Sequence, residues 1–345
     1  MKKINFFLED PGSSNFILGI RKALNKNKII VKVYAQDFAK NYLKGYEEQV
    51  DDFSLKNKNI FECDLLVIGT TENKKTKSKL LFEKAKKKKI LTGLIIDAPT
   101  GLDQDFFINT LNKTKKLIDF IFTADSRTVK VLTENNVDVR KIMKVTNPKF
   151  EYIQNYVKNN YKSEGKKKIA FLGELSGGLN NEEFIKNDEY NLHGYSGSKK
   201  RTEIVFEEFI TAMKDFRKEG EIFLRLHPKE KKSSYKKYFG CIDQFSFKEN
   251  SINFINRMDL IVGMTTNLIS EARVLGKECL SILPRDKEIN WINSDILPFI
   301  NVARDANDIK KFFRKFFSKQ YSLNDHTVKL KKNSFSDLLI KIVYG

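Results

Sequence analysis

Blocks of apolar residues recur along this chain at two alternating spacings. Residues 3–8, 29–34, 64–69, 90–96, 119–123 and 143–146 are short runs rich in Ile, Val, Leu and Phe, the pattern of strands buried on both faces. Between them lie stretches whose apolar positions repeat every three or four residues. The first is 13–24, with Phe16, Ile17, Ile20 and Leu24 on one face and Ser13 and Ser14 as caps; 36–45, 75–87, 103–116 and 126–135 follow. Such alternation predicts a parallel, doubly wound sheet. Asn147-Pro148 closes the sixth strand, since proline has no N–H to give to a ladder.

After a polar, lysine-rich segment the scheme restarts. Strands are expected at 168–172, 221–226, 244–247, 259–262 and 279–283, and helices at 202–217, 229–238, 251–258 and 265–275. Terminal helices are expected at 308–317 and 334–343. The division predicted is an N-terminal Rossmann-like domain over 1–157, a linker over 158–167, a second Rossmann-like domain over 168–320, and a C-terminal segment, 321–345, packing back on the first. The fold class is α/β, and two facing sheets of this kind leave a cleft between their strand ends. The stretch 221–282 organises the second domain. One strand stops at His227-Pro228; the next breaks at Gly263 and meets Thr265-Thr266-Asn267, where a threonine caps a helix that Gly276 ends. Parallel β-α-β units take ligands at the carboxyl ends of their strands. An imidazole, two hydroxyls and a helix N-terminus therefore converge there, which suits a phosphate.

Composition narrows the partners. A length of 345 residues fits two ordinary domains, and the formal charge of +19 favours anions: nucleotide phosphates, acidic glycans or an anionic membrane surface. Lysine runs at 86–89 and 166–168 read as solvated loop charge. No run of eighteen apolar residues occurs, and the opening MKKINFFLEDPG reads as a first strand rather than a signal peptide. Cys63, Cys241 and Cys279 are scattered in apolar contexts, as reduced thiols of a cytoplasmic protein would be. Ile309, Phe312, Phe313, Phe316 and Phe317 interleave with lysines and Arg314: either a core-docked helix or one lying on the inner face of the cell membrane. No nucleic-acid motif is present, and no nucleic acid is expected as partner. Asp103-Gln104-Asp105 opens a helix and reads as acids complementing its dipole; neither metal nor cofactor is expected.

The motifs that carry chemistry are Glu9-Asp10-Pro11-Gly12, His227-Pro228 and Thr265-Thr266, with Glu271 on the helix that follows. In this order and placement the chain resembles nucleotide-sugar glycosyltransferases of the GT-B fold, and more narrowly bacterial sialyl-, polysialyl- and Kdo-type transferases. The resemblance implies an inverting, metal-independent transfer from a nucleotide-sugar donor, first choice a CMP-linked nonulosonate or Kdo-type sugar. The acceptor would be a bacterial surface glycan or lipid-linked glycan. Asp10 or Glu9 would act as base, a role worth about 10²- to 10⁴-fold. His227, Pro228, Thr265, Thr266 and Asn267 would hold the donor phosphate, and Glu271 the ribose. The residues themselves add Asp97, a second strand-end carboxylate on the acceptor side with Gly12 and Ser13. They also add the long irregular stretch 173–200, in which Gly173 and Glu174 follow a strand and Ser196 and Ser198 precede a helix. Plainer roles stand beside these: Asp before Pro-Gly forms turns, and threonines cap helices. Other readings are a non-hydrolysing UDP-sugar 2-epimerase, a CDP-alditol phosphotransferase, and a non-catalytic basic nucleic-acid binder. The epimerases use strand-end His and Ser/Glu groups in the same scheme, but read Ser-Gly-Gly where this chain has Met264-Thr265-Thr266-Asn267.

Overall fold

A computed structural model of the chain describes residues 1–345 except 55–57, 72, 74, 98–110, 157–164, 175–184, 228–229, 248, 319–327 and 329–332. The expected helix start at 103–110 with Asp103-Gln104-Asp105, the residue Pro228 and most of the linker lie outside the described residues. The chain divides into two compact units, Met1–Tyr152 with Leu330–Gly345, and Ile153–Lys329.

The first unit is a six-stranded parallel sheet: β1 Lys2–Leu8, β2 Ile29–Ala35, β3 Leu65–Gly69, β4 Leu91–Ile96, β5 Phe120–Thr123 and β6 Ile142–Lys144, in the order β2-β1-β3-β4-β5-β6. Alternate residues of β1 serve opposite faces. Ile4, Phe6 and Leu8 join one buried cluster, while Phe7 joins another with Leu66, Ile68 and Leu94. Covering both faces is what makes these strands read as continuous apolar runs. One cover comes from the far end of the chain. The Phe335–Tyr344 helix buries Phe335, Leu339 and Val343, and Phe335 meets the rings of Phe16 and Phe122 edge-on at 5.4 and 5.1 Å. The helix expected at 13–24 is broken into Pro11–Ser14, a 3-10 turn Asn15–Ile17 and Ile20–Lys26. Leu18 is extended and Gly19 left-handed at φ 78°, which redirects the chain while keeping Phe16, Ile17, Ile20 and Leu24 buried.

The second unit repeats the plan with β7 Lys167–Leu172, β8 Gly220–Arg225, β9 Gln244–Ser246, β10 Leu260–Gly263, β11 Glu278–Ile282 and β12 Asn301–Ala303. Their order is β12-β11-β10-β7-β8-β9, all parallel. β12 was not predicted, because three residues carry no readable period. The helix expected at 229–238 is a 3-10 element at Lys232–Cys241. Both units are Rossmann-like α/β sheets.

The Ala306–Phe317 helix resolves the ambiguity of its basic, aromatic sequence. Ile309, Phe313 and Phe316 are buried, Phe312 and Phe317 pack on the same core, and Lys310, Lys311, Arg314 and Lys315 face water. Its apolar face belongs to the core and is not available to a membrane. No helix among the described residues is long and apolar enough to cross one. Phe313 is fully buried, with the rings of Phe209 and Phe312 at 5.9 and 5.8 Å. Phe313→Ala should therefore cost about 3–5 kcal/mol of stability in denaturant unfolding, against less than about 0.5 for Lys311→Ala.

Candidate functional site

In each sheet the strand order turns at one point, between β1 and β3 in the first unit and between β7 and β10 in the second. Open parallel sheets characteristically take ligands at such a point, outside the carboxyl ends of the strands.

In the first unit, β1 runs into Glu9-Asp10-Pro11-Gly12-Ser13. Pro11 opens a short helix whose missing N–H costs nothing, and Asp10 is extended at its N-cap (φ −118°, ψ 150°). The turn is held by the Asp10 carbonyl, which accepts from the hydroxyls of Ser13 (3.2 Å) and Ser14 (2.8 Å); the carboxylate makes no capping bond. Thr70, after β3, donates its hydroxyl to Asp97 Oδ1 (3.0 Å), which follows β4. Gly12 lies against that carboxylate, so closely that any Cβ there would collide with it. Asp10, Gly12, Ser13, Thr70 and Asp97 are thus brought to one place. Glu9 is buried and engaged elsewhere, accepting from Asn73 Nδ2 (3.0 Å) and the Thr76 hydroxyl in the loop after β3.

In the second unit, Gly173-Glu174 follows β7, His227 follows β8, and Thr265-Thr266 follows β10. Thr266 caps the Asn267–Val274 helix, its hydroxyl accepting from Leu268 N–H at 3.3 Å. The amides of Thr265 and Thr266, the pair expected to hold a phosphate, both donate to Glu174 Oε2 at 2.9 Å. Arg201, missed by the sequence reading, is completely buried beside them. It donates Nη1 to Glu174 (3.1 Å), Nη2 to the Thr265 hydroxyl (3.2 Å), and Nε to Glu288 Oε2 (2.9 Å). Burial opposes its charge, but Glu288 and Glu174 outweigh that and raise its pKa further.

Beside Gly173, Glu230 accepts from the His227 backbone N–H (2.8 Å) and the Tyr235 hydroxyl (2.8 Å), and its carboxylate fills the space a Cβ at 173 would need. Burial pushes the Glu230 carboxyl above its ordinary range, against those two bonds. His227, whose backbone N–H Glu230 holds, is half-buried. Glu271 is buried within the Asn267–Val274 helix, and Asn267 begins that helix.

The loop offered as a second anion cradle already encloses a carboxylate. Ser196 and Ser198 hydroxyls, the amides of Tyr195 and Ser196, the Tyr238 hydroxyl and Lys237 Nζ all converge on Glu207. His193 gives its backbone N–H to Glu208 at 3.3 Å, its carbonyl accepts from Lys186 Nζ at 3.4 Å, and its side chain is exposed.

No protein-family model matches the chain, and no curated protein matches it by sequence. Solved structures do match its fold over nearly the whole length. A Methanocaldococcus jannaschii UDP-GlcNAc 2-epimerase in complex with UDP-GlcNAc and UDP is similar at TM-score 0.69 and 15% identity, covering 100% of both chains. A Neisseria meningitidis UDP-GlcNAc 2-epimerase bound to UDP-GlcNAc gives 0.63 and 11%, covering 99% of both. S. aureus MnaA with UDP gives 0.64 and 14%, covering 93% of this chain and 89% of that one. These likenesses establish the two-domain GT-B fold. They also correct the functional expectation: the CMP-sugar glycosyltransferase with a glycan acceptor is overturned by neighbours that are UDP-GlcNAc 2-epimerases. The motifs had not separated the two classes. Absence of Ser-Gly-Gly counted against an epimerase, yet an anion at this turn is held by backbone amides, which Thr265 and Thr266 supply equally well.

The Glu207 enclosure has a measurable signature. Burial alone would raise its pKa, but the bonds from Ser196, Tyr238, Ser198 and Tyr195 N–H hold it well below the usual carboxylate range. A depressed carboxylate stabilises the fold above its unfolded pKa, about 4.3, and loses that contribution as pH falls through the folded value. The stability gap between wild type and Glu207→Gln should be full at pH 7 and shrink steadily below about pH 4 in urea titrations.

Proposed function

We propose that the chain is a nucleotide-sugar enzyme of the non-hydrolysing 2-epimerase type, with UDP-GlcNAc as the first substrate to test. One observation carries the reading. At the turn of the second sheet the paired amides of Thr265 and Thr266, with Arg201 behind them, hold an anionic group. That is the chemistry a diphosphate requires at a helix N-terminus, and it occurs in a fold whose solved neighbours carry UDP or UDP-GlcNAc.

The proposed roles divide by unit. Inverting C2 of a sugar removes a proton from one face of that carbon and returns one to the other, so carboxylates able to act as base and acid are needed. Asp97 and Asp10 are the candidates, with Glu9 fixing the loop next to them. The leaving or shifting diphosphate develops charge that donors must meet: Thr265, Thr266 and the His227 imidazole. Glu271, six residues beyond Thr265 on the helix, is assigned to the ribose hydroxyls. Gly12 and Gly173 keep the backbone close to the carboxylates of Asp97 and Glu230.

The purified protein incubated with UDP-GlcNAc alone should produce the ManNAc epimer, read by proton NMR of the sugar C1 and C2 signals. His227→Ala should lower kcat by about 10²-fold or more, and Asp97→Asn by at least as much. No epimer from wild type, or turnover of His227→Ala within a fewfold of it, would sink the reading.

A further inference from the structure

Glu174 sits where a ligand phosphate is expected. Its Oε2 takes the amides of Thr265 and Thr266, and its Oε1 takes the Thr265 hydroxyl and Arg201 Nη1. The contact joins the ends of β7 and β10, the point at which strand order turns.

A second observation in the same network points to an anion. Arg285 is 1% exposed and gives its Nε to Glu288 Oε1 (2.7 Å), the carboxylate whose other oxygen holds Arg201. Its guanidinium lies over the rings of Tyr190 and Trp291 at 5.1 and 5.3 Å. Neither Nη atom has a hydrogen-bond partner among the described residues. Buried donors are ordinarily satisfied, and an open Nη pair is shaped to receive two oxygens of one anion. Arg201 is thus held by Glu174 and Glu288, and Arg285 by Glu288, while Glu174 occupies the amide seat.

Resting on the reading above, we propose that Glu174 is a displaceable stand-in for the ligand's phosphate. In the unliganded protein its carboxylate occupies the amides of Thr265 and Thr266. A nucleoside diphosphate binds by replacing it there, and the released carboxylate passes to the open Nη pair of Arg285. The occupied seat lowers the apparent affinity by the fraction of molecules in which it is free. Glu174 thereby selects for ligands whose phosphates carry enough charge to compete, and against singly charged anions.

The test is calorimetric titration of the full chain with UDP and, separately, inorganic pyrophosphate, alongside thermal midpoints without ligand. Glu174→Gln keeps the shape and removes the charge; Glu174→Asp keeps the charge and shortens the arm, and serves if the glutamine variant folds poorly. Both should bind UDP about tenfold more tightly than wild type or better, while the ligand-free midpoint of Glu174→Gln falls because Arg201 loses a counter-charge. Arg285→Lys, whose single amine cannot take both oxygens, should weaken UDP and pyrophosphate together. If wild type binds UDP and the Glu174 variants bind it equally or more weakly, Glu174 is a permanent clamp and this proposal fails while the nucleotide-sugar reading stands. If no form binds UDP or pyrophosphate, both fail.

Discussion

The second unit is arranged around a positive charge that water does not reach. Arg201 is wholly buried, and an ion so placed is tolerated only when its partners satisfy it on several sides. They come from three segments, Glu174 after β7, Thr265 after β10 and Glu288 in the 3-10 turn Asp286–Trp291, and converge on Arg201 at the start of the Arg201–Met213 helix. Removing any one carboxylate would strand a charge, which typically costs about 3–5 kcal/mol. A hydrophobic quartet of similar volume would be no less stable. The charged version does something packing alone cannot: directional bonds tie these segments together at the point where the strand order turns.

That constraint explains what could be read from the sequence and what could not. Strands buried on both faces must be apolar throughout, so Leu65–Gly69, buried at all five positions, is visible without a structure. The positions of His227 and Thr265 just beyond strand ends were visible too, because His227-Pro228 and Gly263 mark where those strands stop. Arg201 was not. It closes the run Ser198-Lys199-Lys200, which looks like solvated charge, and its burial is decided by carboxylates 27 and 87 positions away along the chain. Local patterns carry no information about pairings at that separation. Glu207 hid in the same way inside an otherwise ordinary amphipathic helix.

The enzyme class was illegible for a different reason. The decisive groups at a phosphate-binding turn are backbone amides, and these are the same whether the side chains are Thr-Thr or Ser-Gly-Gly. Side-chain motifs therefore pointed to the architecture and left the chemistry of the sugar open. Comparison of whole folds added what two- to four-residue motifs could not: solved neighbours that are UDP-GlcNAc 2-epimerases.

The strong basicity of the chain bears on the site less than its size suggests. The charge of +19 is carried largely by exposed lysines, as on the outer faces of Ala306–Phe317 and Ser78–Lys87. At physiological ionic strength such charges are screened beyond about 8 Å, so they raise the local concentration of anionic ligands without gripping them. At the turn of the second sheet the balance is different: Arg201 and Arg285 face Glu174 and Glu288, two cations against two anions. If a diphosphate is the ligand, as proposed above, a locally neutral site would select it by geometry, through amides already aimed, rather than by excess positive charge. On the proposed reading, Glu174 gives those amides an internal partner whenever the ligand leaves.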